Sequence, residues 1–79
     1  MTNAEILEKV IAVVKKTMET DNVTADTLMQ DDLHIESVDF YTLLGDLERT
    51  FRIKIAERIL AQVETVQDIA DEVEKILNK

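Results

Sequence analysis

Cysteine and proline are absent from the 79 residues, and glycine occurs once. Without cysteine there is no disulfide framework and no Cys-ligated metal. With so little Gly and Pro, few tight turns are encoded, which points to helices joined by ordered loops. Positive charge is scarce too: nine Lys and Arg stand against 17 Asp and Glu, for a net charge of −8. Nucleic acid and anionic membrane surfaces need Lys and Arg to neutralise their phosphates, so neither is an expected partner. Basic protein surfaces are, with electrostatic steering speeding the encounter; the plainer use of such charge is solubility. No apolar run approaches the length of a membrane span. Met1–Ala4 lacks the basic start of a signal peptide, and Glu5, Glu8 and Lys9 break up the first apolar run. A cytoplasmic location is therefore expected. Hydrophobic residues make up 46% of the chain, enough for one folded domain over residues 1–79, close to the lower limit for a self-sufficient core.

What is present is helical periodicity. Thr2 and Glu5 have capping-box spacing ahead of Ile6, Leu7, Val10, Ile11, Val13, Val14 and Met18, which recur on one face. This predicts a first helix over 3–18. Thr20 to Ile35 reads as a long loop pinned to the core by Val23, Leu28, Met29 and Leu33, with room for a short helical turn after Thr24. Long ordered loops of this kind are uncommon unless functional. A second helix should start at Glu36 or Ser37 and end near Phe51. At 100° per residue, Leu43, Leu44, Leu47 and Phe51 fall within about 60° of Phe40, forming a buried stripe. Val38, Tyr41, Thr42, Gly45 and Arg49 fall on the far side. Val38 and Tyr41 are thus expected to be exposed apolar residues beside the helix start, as a docking surface requires. Phe51-Arg52-Ile53-Lys54-Ile55 alternates like a strand, but no partner strand is evident, so an extended connector is expected. A short helix over 56–62 should face Ile59, Leu60 and Val63 inward. Thr65 and Asp68 have cap spacing for a last helix, whose stripe is Val66, Ile69, Ala70, Val73, Ile76 and Leu77. Asp68, Asp71, Glu72 and Glu74 read as its solvated face. The fold class is all-α: a small four-helix bundle of three main helices and one short helix, with a long loop between the first two.

The chemistry concentrates at one hydroxyl. From Thr17 to Glu48 the acids are Glu19, Asp21, Asp26, Asp31, Asp32, Glu36, Asp39, Asp46 and Glu48, with no Lys or Arg. Ser37 sits in this stretch at the head of the second helix. The run Asp32-Leu33-His34-Ile35-Glu36-Ser37-Val38 resembles the attachment motif of acyl carrier proteins, Asp-Leu-Gly-x-Asp-Ser-Leu. The resemblance continues through Glu48-Arg49-Thr50-Phe51, the connector Ile53-Lys54-Ile55 and the lead-in Thr65-Val66-Gln67-Asp68. It implies that Ser37 receives a 4′-phosphopantetheine arm from coenzyme A by the action of a phosphopantetheinyl transferase. It implies, too, that acyl groups ride on the arm as thioesters in fatty acid or related acyl or polyketide biosynthesis. The arm brings the thiol that the chain lacks. Partners implied are the transferase and acyl-loading and acyl-processing enzymes with basic docking surfaces, met by Glu36, Val38, Asp39, Tyr41 and Glu48. An acyl tail is expected between the apolar stripes of the helices, near Leu47, Ile59 and Ile69. The carrier is expected to be free-standing and monomeric.

The motif departs from the family at His34, where Gly is common, at Glu36, where Asp is common, and at Ala56, where Pro is usual. Arg49, Arg52, Lys54 and Arg58 face Glu57 alone in a basic stretch that suggests a specialised carrier with its own partner set. Other readings stay open. An aminoacyl or peptidyl carrier usually shows a Gly-Gly-x-Ser site, which Ile35-Glu36-Ser37 does not match. Ser37 alone could be a plain N-cap serine, since Ser is common there. From a different class comes an acidic helical interaction module that is never modified. Catalysis by Ser37 with His34 lacks a nucleophile elbow and a triad, so the chain is not expected to be an enzyme. The carboxylates of 21–32 lack the central Gly of a Ca²⁺ loop, so no dedicated metal site is expected.

Overall fold

Local capping sets where the first helix begins in this computed structural model, which describes residues 1–78. The Thr2 Oγ1 accepts the Glu5 N–H, while Glu5 Oε1 accepts the Thr2 N–H at 3.0 Å, closing the expected capping box. Helix α1 runs Asn3–Met18 and ends at Glu19, which turns left-handed at φ 52. Helix α2 spans Ser37–Phe51, the short α3 spans Glu57–Ala61, and α4 spans Val66–Leu77. The three long helices pack together, with α1 against both α2 and α4. Their meeting faces bury Ile6, Val10, Val14, Leu43, Leu47, Val66, Ile69, Ala70 and Val73.

The expected α2 stripe is buried at Leu43, Leu47 and Phe51, but Phe40 and Leu44 are half-buried. Periodicity assigns a direction to each side chain; it does not show how well the neighbouring elements close over it. The connector after α2 is extended without pairing as a strand. It is held to α2 by Glu48, whose Oε2 accepts the Ile55 N–H at 2.8 Å. Ile55 is buried and Ile53 half-buried.

The 16-residue stretch before Glu36 is an ordered strap over the start of α4. Val23 and Met29 are buried beneath it. Buried Thr27 uses its hydroxyl to accept the Thr24 N–H at 2.8 Å. Leu28 and Thr65 form an isolated β-bridge, and the Met29 N–H reaches the Glu64 carbonyl at 2.9 Å. The first amides of a helix have no carbonyl of their own to bond. Here the Val66 N–H finds the Thr27 carbonyl at 3.1 Å and the Gln67 N–H finds the Ala25 carbonyl at 2.9 Å.

Asp68 completes that helix start, accepting the Thr65 and Glu64 N–H groups at 3.1 Å. The hydrogen bonds from the Thr65 amide first, and then Glu64, hold its carboxyl below the usual carboxylate range. A depressed folded value contributes stability that is present above the unfolded value and lost as pH falls through the folded one. Asp68→Asn is therefore expected to lower Tm at neutral pH and to flatten the acid side of a Tm-against-pH curve, read by circular dichroism. A substitution that leaves the acid limb as steep as before would assign that limb to other carboxylates.

The rest of the supposed solvated face of α4 needs correction. Asn3 Nδ2 donates to Asp71 Oδ1 and to Glu74 Oε1, each at 3.1 Å. Gln67 Nε2 donates to Asn3 Oδ1 at 3.0 Å and to Asp71 Oδ1 at 2.9 Å. Asp71 and Glu74 are thus half-buried cross-ties between α1 and α4. No i,i+3 or i,i+4 pattern marks such a tie, because its partners lie at opposite ends of the chain.

Gly45 lies inside α2 with no left-handed φ to require it. A Cβ built there meets Arg49 Nη1 at 3.6 Å, an ordinary contact. Gly45→Ala is expected to stabilise the fold by about 0.5–1 kcal/mol, from helix propensity alone. A thermal melt checks this, and a lower Tm would mean that the outer face of α2 is more crowded than its neighbours indicate.

Candidate functional site

Glu36, Ser37 and Asp39 build the head of α2. Glu36 is the N-cap, with extended backbone at φ −102 and ψ 171, and Ser37 is the first helical residue. Ser37 is therefore not itself the N-cap, and the plain capping role does not fall to it. Asp39, three residues after the cap, accepts the Glu36 N–H at 3.2 Å through Oδ2. The Phe40 N–H bonds the Glu36 carbonyl at 2.8 Å, and the Thr42 hydroxyl donates back to the Val38 carbonyl at 3.0 Å. None of these bonds uses the Ser37 hydroxyl, and Ser37 is exposed. A free, exposed hydroxyl over the positive end of a 15-residue helix is well placed to hold a phosphoester, since helix amides and the dipole favour an anion there.

The approach to that end is set by the loop. His34 adopts a left-handed backbone, φ 50, at the motif position where the family commonly has Gly. A side chain there costs about 1 kcal/mol, although His is among the residues that tolerate it better than most. Gly would adopt this backbone at no steric cost, and the chain adopts it with His34 all the same. His34 is exposed.

Around Ser37 the expected docking residues fall into two groups. Glu36 is exposed, and Val38 and Tyr41 are 75% and 55% exposed. These stand on the outer side of α2 with Ser37. Asp39 is half-buried and braces the cap. Glu48 is half-buried and committed to the Ile55 amide. Arg49 pairs with Asp46 on its own helix, and Asp46 also accepts the Thr17 hydroxyl at 2.8 Å. Among the described residues, Arg52, Lys54 and Arg58 are exposed and make no salt bridge.

Beside Ser37 opens a recess of about 310 Å³, lined by Gln30, Ile35, Glu36, Phe40, Tyr41 and Ala61. Behind it lies a smaller cavity of about 90 Å³, mostly apolar, walled by Met29, Leu43, Leu60 and Val63. Gln30, Ile35, Phe40 and Ala61 belong to both walls. Of the residues expected beside a tail, Leu47 and Ile69 are fully packed within the bundle and Ile59 is half-buried, while the open space lies between the loop, α2 and α3. Sequence reading missed Met29, Ile35 and Ala61 as cavity residues because no spacing rule links a loop to a helix 30 positions away. Among the described residues no cluster of three or more His, Cys, Asp or Glu can hold a metal. No described helix is long and apolar enough to cross a membrane.

Comparison with known proteins shows the family of the chain and its fold. The family model described as "Phosphopantetheine attachment site" matches residues 4–73. The acyl carrier protein of Borreliella burgdorferi strain B31 is 35% identical over 77 residues, covering 95% of this chain and 96% of that one. The acyl carrier protein of Thermosynechococcus vestitus is 34% identical over 73 residues, 90% of each chain. Among solved structures, an acyl carrier protein candidate from Mycobacterium tuberculosis superposes with a TM-score of 0.80 at 30% identity, covering 89% of this chain and 96% of that one.

Proposed function

Because the chain belongs to the acyl carrier protein family, whose members bear a phosphopantetheine attachment site, we propose that Ser37 is the residue that carries the arm. The protein carries acyl groups as thioesters, in fatty acid or related biosynthesis. The 4′-phosphopantetheine arm supplies the thiol that a cysteine-free chain cannot. One observation carries the assignment to Ser37: it is the exposed first residue of α2, and the hydrogen bonds of the helix start leave its hydroxyl unused. In the transfer from coenzyme A, Ser37 Oγ gives up its proton and bonds to the phosphorus that bears the pantetheine; the pyrophosphate P–O bond breaks, and adenosine 3′,5′-bisphosphate leaves. The negative charge then arrives where the α2 amides favour it. The chain itself presents cargo and does no catalysis in this reading.

Docking falls to the outer side of α2. Glu36 meets cations on the phosphopantetheinyl transferase and on the acyl-loading and acyl-processing enzymes. Val38 and Tyr41 give the apolar contact beside it, and Asp39 sets the cap on which Glu36 stands. Glu48 serves from beneath, by holding the connector. With a net charge of −8, encounters with basic enzymes should depend on screening. Between about 0.01 M and 0.15 M salt the Debye length falls from about 30 Å to about 8 Å. The transferase kcat/KM for this chain is expected to fall several-fold over that range, and Glu36→Gln should lessen the slope. A salt-independent rate would remove charge from the recognition step.

A further inference from the structure

The recess beside Ser37 and the cavity behind it share four wall residues, and the one aromatic among them, Phe40, carries Tyr41 beside it on the recess side. Phe40 lines both spaces and is half-buried between them. Its ring meets Tyr41 edge to face, with centroids 5.3 Å apart and planes at 81°. Tyr41 is fixed at its other end, where its hydroxyl donates to Glu57 Oε1 at 2.7 Å. Glu57 is the first residue of α3. Among the described residues this is the one side-chain hydrogen bond that joins α2 to α3. Helix α3 has only five residues, too few to be stable without tertiary support. Its position therefore depends on tertiary contacts: buried Leu60, half-buried Ile59 and the following Val63 packed on the core, and this tie at its first residue.

The cavity behind Phe40 is small. At about 90 Å³ it is well below the roughly 150 Å³ that accommodates a benzene molecule. Only a few carbon atoms fit unless α2 and α3 separate or Phe40 turns. Both movements strain the same bond, because Tyr41 packs on Phe40 and is tied to α3. We propose that the Tyr41–Glu57 hydrogen bond is a gate that selects cargo by length. Short acyl groups stay in the outer recess, and longer ones enter the cavity only when the bond breaks. Glu57 holds the Tyr41 hydroxyl above its usual range, chiefly through this hydrogen bond, so Tyr41 remains a donor at neutral pH.

This inference rests on the carrier reading, and its test separates the two. The protein is loaded with acetyl or octanoyl cargo by a transferase acting on the corresponding acyl-coenzyme A. Hydroxylamine attack on the thioester carbonyl then breaks C–S, forms C–N and releases the thiol. Cargo inside the cavity is shielded from it. Methyl NMR of Met29, Leu43, Leu60 and Val63 reports entry independently. In Tyr41→Phe the ring stays and the donor goes, so octanoyl cleavage is expected to slow about fivefold, the effect of one lost hydrogen bond that opposed entry. Acetyl cleavage should be the same in both proteins. Glu57→Gln keeps a carbonyl acceptor for Tyr41 and should lie between them. Equal octanoyl cleavage in wild type and Tyr41→Phe, with the cavity methyls shifting on loading, overturns the gate and leaves the carrier reading intact. Failure of the wild type to accept any acyl arm overturns both.

Discussion

Ser37→Ala is expected to abolish arm attachment while leaving the fold unchanged. Wild-type protein incubated with coenzyme A and a phosphopantetheinyl transferase gains one phosphopantetheine by intact mass, and the variant gains none. The effect is all-or-none because the hydroxyl oxygen becomes part of the new bond, and no other group of that residue can replace it. Stability should not confuse the result. Ser37 is exposed, lies at the first helical position and caps nothing. Ala is the better helix former, so the change should remain within about 0.5 kcal/mol. A Ser37→Ala protein that melts like wild type and still gains the arm would move the attachment to another hydroxyl.

The second large effect is on the fold. Leu47 is fully buried in the part of α2 that packs toward α1. Leu47→Ala removes buried carbon and leaves a cavity that the three-helix packing can only partly close. Such truncations cost about 2–5 kcal/mol. A domain of this length holds roughly 4–12 kcal/mol in total, so one substitution can remove a large share of it. A loss near 3 kcal/mol corresponds to a fall in Tm of roughly 10–20 °C. Val38→Ala is the matched control. Val38 is of similar apolar character but 75% exposed, so its loss should leave Tm within a few degrees while slowing transferase docking. If Leu47→Ala and Val38→Ala melted alike, the placement of the two faces of α2 would be wrong.

Those two faces were readable from sequence because helical spacing is a local property. The same holds for the Thr2–Glu5 and Thr65–Asp68 caps, whose partners lie three residues apart. Ser37 is proposed on a different ground: its neighbours carry a motif. The motif did not reveal that Glu36 would be the N-cap, leaving the serine hydroxyl free. That distinction depends on backbone angles a pattern does not encode. Long-range polar ties were invisible. Asn3 with Asp71 and Glu74, Thr17 with Asp46, and Tyr41 with Glu57 join residues on different elements. Nothing in the sequence spacing of a pair decides whether two helices bring it together. Glu48 illustrates the consequence. An acid near the end of a recognition helix suggests docking, yet the carboxylate is turned to an amide of the connector. The cavity was missed in the same way. Its walls come from the loop, α2, α3 and the segment that follows, elements whose meeting no local spacing encodes.

The basic residues Arg52, Lys54 and Arg58 give the chain a second electrostatic face. It lies beyond the acidic head of α2 in sequence, and the residues are exposed without acidic partners among the described residues. The charge of the exposed side chains thus changes sign between the head of α2 and the residues that follow its end. This is a physical reason to expect steep salt dependence for partners that meet the α2 start, and a weaker one for partners that span both regions.

The most direct measurement is peptide-level mapping of the modified protein. After transfer from coenzyme A, proteolysis and tandem mass spectrometry should place a single phosphopantetheine on the Ser37 side chain and on no other hydroxyl. A group found on Thr42 or Thr50, or no modification with several transferases, would contradict the account and favour an acidic helical module that is never loaded.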